Sequence, residues 1–202
     1  MRHRSTFAQF ADESGVLLIV AILVAGLAAV RLPAAHPGRS TGAYLIAGLI
    51  TLAVFGLCAA AHELAHAIAP ASGSASAELV AAAAGPLASL GLGGLCGVAT
   101  AALALSGAGG LTVSVAAYIG LANLVLAAGT LLPGASSDGG RLLRAWIWRT
   151  TGDPRRATRG AARTGRAIGF ALILGGVVVL VAGAAVAGIW LALTGWFVAA
   201  QL

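Results

Sequence analysis

Residues 43–61 carry no charged side chain, and four further stretches, 16–32, 79–105, 111–132 and 168–202, are as apolar or nearly so. A helix that crosses a bilayer needs about 20 consecutive apolar residues. Each stretch meets or approaches that length, the second extending to residue 69. The last is too long for one span, and Gly183 and Gly188 near its middle predict a tight helical hairpin. The chain therefore reads as an all-α polytopic membrane protein with about six transmembrane helices. With 59% hydrophobic and 9% charged residues and a mean hydropathy of +0.97, it lies outside the range of a soluble globular domain. Arg2 and Arg4 precede the first stretch as they would in a cleaved signal, but Asp12 and Glu13 stand where such a signal is basic, so the stretch is read as a span.

Charge sets the orientation. All 12 basic residues are Arg, and eight of them, from Arg141 to Arg166, fall in one short stretch. The positive-inside rule makes 141–166 a cytoplasmic loop and, counting spans backwards, places the N-terminus in the cytoplasm too, with Arg31 and Arg39 left outside as a minor conflict. Beside membrane helices such a run serves topology and contact with anionic headgroups, not nucleic acid. Leu142, Leu143, Trp146 and Ile147 among its arginines suggest an amphipathic interfacial helix, and 70–77 reads as a short flexible loop. The 29 glycines, in clusters such as Gly91, Gly93, Gly94 and Gly97, fit close helix approach in lipid.

Within the second apolar stretch stands His62-Glu63-Leu64-Ala65-His66. On a helix the imidazoles at i and i+4 share a face and can both ligate Zn²⁺, while Glu63 beside them can take a proton from water. Burying these three groups in a span costs several kcal/mol unless they are paired or metal-bound. A catalytic zinc takes three protein ligands, so a third must come from elsewhere. Asp138, at the cytoplasmic end of the fourth span and followed by Gly139 and Gly140 that permit a sharp turn, is preferred. Glu78, at the start of the third span, is the rival. The expected site, one Zn²⁺ between the second and fourth spans, lies towards the cytoplasmic face. Asn123 reads as an interhelical hydrogen-bonding residue or a site contact, Thr130 as a back-bonder to its own helix, and Pro133 as the end of the fourth span. His3 and His36 read as solvated and partnerless, and Cys58 and Cys96 as ordinary buried thiols.

The sequence HELAH at 62–66, AAGPLASL at 83–90 and NLVLAAGTLLPGASSDGGRLLRAW at 123–146 together resemble the site-2 protease family of intramembrane zinc metalloproteases. The resemblance implies that His62, His66 and Asp138 hold zinc and that Glu63 activates the attacking water. It also implies cleavage within the transmembrane helices of single-pass, membrane-anchored regulatory proteins. The chain departs from the family where Thr130-Leu131-Leu132-Pro133 replaces an Asn-x-x-Pro motif, where Ser136 replaces a second Pro, and in the short segment 70–77. Asn123, Thr130 and Pro133 are the expected substrate contacts. The chain reads as a single membrane domain over 1–202 without a PDZ or CBS domain, its oligomeric state open. A catalytically weak relative that binds membrane helices as a scaffold is the alternative; a metal transporter would carry several intramembrane acids along a path, and here the polar residues cluster at one depth.

Overall fold

The computed structural model describes residues 26–70, 73–134 and 137–200. Most of the first apolar stretch, with Arg2, His3, Arg4, Asp12 and Glu13, and Ser136 of the family comparison lie outside them. Two short helical segments, Leu27–Arg31 and Leu32–Ala35, precede six helices: α1 Thr41–Ile68, α2 Ala75–Leu105, α3 Gly110–Thr130, α4 Asp138–Thr151, α5 Pro154–Val181 and α6 Ala185–Ala200. No strand occurs among the described residues. Helices α1, α2, α3 and α5 are long and apolar enough to cross a membrane, and α6 is a shorter apolar helix. The buried set is rich in Ala, including Ala81, Ala82, Ala127, Ala145 and Ala157, while Leu57, Val98, Leu174 and Trp190 point outward. Water would expel such a surface, whereas lipid accepts it, and small residues let helix backbones approach.

The structure divides into two compact units. One comprises the described residues up to Cys58 together with Leu92–Asn123. Its core joins Ala28, Leu32, Tyr44 and Ala47, with Leu111, Val115 and Tyr118 packed against it. His36, expected to be partnerless, instead hydrogen-bonds Ser114 Oγ through Nε2 at 2.7 Å, and its carbonyl accepts from the Tyr44 hydroxyl. The turn before α1 folds back over Gly110, whose missing Cβ leaves the imidazole room. Close helix approach centres on Gly120, where a Cβ would stand 3.3 Å from the Gly93 carbonyl oxygen, while Gly91, Gly94 and Gly97 face open space.

The other unit comprises Ala59–Gly91 and Leu124–Leu202. After α3 ends at Thr130, the chain turns through Pro133 and Gly134 into α4. A Cβ on Gly139 would fall on the Leu131 carbonyl, one on Gly140 on the Gly134 carbonyl, and one on Gly165 would lie 2.5 Å from the Pro133 oxygen. Gly139 and Gly140 were expected to permit a sharp turn; both are helical and without positive φ, and what they permit is contact with the preceding turn. The stretch read as a cytoplasmic loop is helical except at a sharp joint. Gly152 ends α4 in the left-handed conformation (φ 70°), and Asp153 caps α5 by accepting the N–H groups of Arg155 at 2.8 Å and Arg156 at 3.1 Å, with Pro154 in the first turn. The flexible segment expected over 70–77 is also shorter than expected, because α2 begins at Ala75 with Ser74 Oγ accepting the Ala77 N–H.

The hairpin expected in the last apolar stretch is formed by α5 and α6, joined through Gly183 at φ 91°. Gly169 packs against Gly195, and Gly176 against Gly188, so that two pairs of glycines spaced by seven residues bring the backbones together. A Cβ at Gly176 would stand 2.5 Å from the Ala192 nitrogen, whereas one at Gly175 meets only the Leu191 side chain at 3.6 Å. Gly176→Leu is expected to destabilise the detergent-solubilised protein by about 1–3 kcal/mol through overpacking, and Gly175→Ala to stay within about 0.5 kcal/mol. Thermal unfolding of both variants checks the difference.

Candidate metal centre

Helix α1 brings His62 and His66 onto one face a turn apart, with ring centroids 5.0 Å apart and planes at 75°. Their outward-facing nitrogens are oriented from α2. Nδ1 of His66 donates to the Ala81 carbonyl at 2.8 Å, and Nδ1 of His62 pairs with the fully buried Ser89 hydroxyl at 2.9 Å. Midway between Ala81 and Ser89, at four-residue spacing on the same face, is Gly85. A Cβ there would fall against Nε2 of both histidines. The missing side chain thus leaves a notch at the point where the two Nε2 atoms converge.

Asp138 closes the notch from α4. It sits in the first turn, where Ser137 caps the helix by accepting the Gly140 N–H at 3.2 Å and the free backbone N–H groups favour an anion. Its Oδ2 lies 3.3 Å from His62 Nε2 and its Oδ1 3.1 Å from His66 Nε2. A carbonyl only accepts, so Nδ1 of His66 carries a proton, and in the neutral ring Nε2 is left with a lone pair. That lone pair faces a carboxylate and has no hydrogen-bond partner although the atom is buried. Two acceptors at this distance repel unless a proton or a metal cation lies between them. One ligand atom from each of His62, His66 and Asp138 lies within 4.8 Å of the others, a donor set that suits a four-coordinate zinc with one position open.

The cleft beside these groups, about 630 Å³, is lined by Glu63, Thr130, Ser137 and Arg141 as well as by the three converging residues. Glu63 is exposed to it. Thr130 donates to the Ala127 carbonyl of its own helix at 3.3 Å. Glu78, the rival third ligand, is 2% exposed and its carboxylate is bound by Arg144, which leaves Asp138 as the acid grouped with the histidines among the described residues. Asn123 is buried, donates to Ile119 of its own helix at 2.9 Å, and is not among the cleft-lining residues; neither is Pro133, which lies in the turn before α4. The sequence reading passed over Gly85, Ser89, Arg141 and the Glu78–Arg144 pair. The i, i+4, i+8 spacing of Ala81, Gly85 and Ser89 was the signal that could have marked the first two.

No protein-family model matches the chain. It is 38% identical over 161 residues to "Putative zinc metalloprotease Rip3" of Mycobacterium tuberculosis, covering 68% of this chain and 41% of that protein. To "Putative zinc metalloprotease sll0528" of Synechocystis it is 29% identical over 188 residues, 81% of this chain and 48% of the relative. The chain thus spans less than half the length of these curated relatives. The solved structure of the site-2 protease from Methanocaldococcus jannaschii superposes with a TM-score of 0.54 at 20% identity, over 91% of this chain and 84% of that one, which shows a shared fold. Relatives named for zinc and proteolysis, a multi-pass helical fold and a His-Glu-x-x-His helix facing an aspartate agree on one conclusion: the chain belongs to the site-2 protease family of membrane zinc metalloproteases.

Proposed function

We propose that this chain is an intramembrane endopeptidase in which His62, His66 and Asp138 hold one zinc ion and Glu63 is the general base. The observation that carries this reading is the unpartnered Nε2 of His66, aimed at the Asp138 carboxylate across the notch left by Gly85. Zinc, when bound, polarises a carbonyl and acidifies water enough for attack at neutral pH. The chain does the rest. Ser89 and the Ala81 carbonyl hold the imidazoles in the tautomer and orientation that aim both Nε2 atoms at one point. Glu63 takes the proton from the attacking water and delivers it to the leaving amine as the C–O bond forms and the peptide C–N bond breaks. No covalent enzyme intermediate is required.

The substrates in this reading are single-pass membrane proteins of a regulatory kind, whose helices unwind locally so that a carbonyl becomes accessible. Helix-breaking Gly or Pro near the cut assists that step. Thr130 is the substrate contact at the cleft wall, Pro133 acts through the turn that places Asp138, and Asn123 supports its own helix. In this reading the site and the N-terminus face the cytoplasm, a side supported by the Arg-rich 141–166 stretch through the positive-inside rule. Residues 1–202 act as one membrane domain. The competing reading is a helix-binding scaffold, favoured by one observation: the Thr130 hydroxyl spends its proton on its own helix and so offers substrate no donor.

Two measurements separate these readings. Glu63→Gln is expected to retain zinc by elemental analysis and to lose about 10²–10⁴-fold in cleavage of co-expressed single-pass substrates. Zinc in both proteins with cleavage by neither moves the assignment to the scaffold. Gly85→Ala is expected to keep its helical circular dichroism but to purify without zinc, because the new methyl occupies the notch; zinc at the wild-type level in this variant refutes the proposed site.

A further inference from the structure

We infer that Arg141 binds the carbonyl oxygen of the scissile peptide and takes up the negative charge that develops there. The inference deepens the protease reading and rests on it. It follows from an account of the hydrogen-bond donors in the cleft. Both imidazole Nδ1 atoms are committed, to Ser89 and to the Ala81 carbonyl. Glu63 and Asp138 are acceptors when ionised. The Thr130 hydroxyl donates to Ala127, and the Ser137 hydroxyl donates to the Leu132 and Gly134 carbonyls while receiving the N–H groups of Gly134 and Gly140. Arg141 remains. Among the described residues its guanidinium makes no hydrogen bond, its nearest carboxylate is Asp138 Oδ1 at 4.0 Å, and it lines the cleft about one-third exposed.

Its position suits the task. Asp138 and Arg141 stand one turn apart on α4, so a single rigid helix presents an acid to the histidines and a cation beside it. The Asp138 oxygen that lies 4.0 Å from the guanidinium is the one 3.1 Å from His66 Nε2, so the cation and the histidine face the same carboxylate oxygen. A guanidinium stays charged at any pH the protein experiences and offers five donors in a planar fork. As water adds to the peptide carbon, the C=O π pair moves onto oxygen and Arg141 donates to it. When the C–N bond breaks, that pair re-forms the carbonyl and the nitrogen leaves with the proton carried by Glu63. An oriented donor of this type contributes more to the transition state than to the bound substrate.

The experiment compares zinc-loaded wild type, Arg141→Lys and Arg141→Gln in detergent. It measures zinc content, kcat and KM on a cleaved substrate, and the Kd of a phosphinic peptide, whose tetrahedral anion places charge where the carbonyl oxygen develops it. The expected result is unchanged zinc and KM in the Gln variant, a loss of about 10²–10³-fold in kcat, a parallel loss of phosphinate affinity, and partial recovery of both with Lys. Unchanged kcat and phosphinate affinity with zinc retained overturn the inference. Loss of zinc from the Gln variant also overturns it, since Arg141 would then act by positioning Asp138. A wild type that binds the phosphinate through Arg141 yet cleaves nothing defeats the protease reading and leaves the oxygen-binding assignment of Arg141 standing.

Discussion

Two imidazoles and a carboxylate drawn together in an apolar surrounding must satisfy one another, and much of the described architecture around residues 59–91 and 124–202 answers that requirement. An unpartnered buried polar group costs about 1–3 kcal/mol and a charged one more. The cost is met from three directions. Helix α1 carries the histidines, α2 orients each of them through its Nδ1, and the first turn of α4 supplies an anion stabilised by the backbone N–H groups of its own helix. The atoms left over, His66 Nε2 above all, point at one another across the space that Gly85 leaves empty.

Holding that geometry falls to glycine and alanine. Side chains such as Leu gain little by leaving lipid for a protein interior, so helices in a bilayer associate through close backbone contact and van der Waals packing. The turn that launches α4 is gripped by Gly139, Gly140 and Gly165, each of which would collide with a carbonyl of residues 131–134 if it carried a Cβ. The hairpin of α5 and α6 uses the same device at Gly169, Gly176, Gly188 and Gly195. Asp138 is thus placed by close backbone contacts, which suits the metal-binding role proposed for it.

One ion pair separates the two candidate acids. Glu78 lies within a turn of Ala81, the residue that orients His66, and its charge in so apolar a setting would otherwise compete for any cation at the site. Arg144 from α4 binds it, and the same guanidinium lies 6.0 Å from the Trp148 ring. Buried pairs of this kind add little net stability, since desolvation offsets attraction, but removing one partner strands the other. The partial exposure of Arg144 softens the second penalty. The pair also ties α4 to α2, the two helices whose residues contact the histidines.

The sequence alone determined the membrane class, the hairpin in the last apolar stretch and the identity of the metal-competent helix. Each is written in local pattern: uninterrupted apolar runs of bilayer length, glycines at the middle of an overlong run, and histidines four residues apart where solvation is absent. It also favoured Asp138 over Glu78, on position along the chain. What it did not contain is any statement of distance between segments far apart in the sequence. That Glu78 is paired with Arg144, that His36 finds Ser114, and that Gly139 and Gly140 serve contact and not a turn were decided by tertiary packing. So was the role of Gly85, which in the sequence is one glycine among 29 and in the structure is the one whose missing Cβ leaves room where two imidazoles converge. The physical reason is general: a residue type records what a position tolerates, whereas an empty volume or a paired charge exists only once the segments that bound it have met.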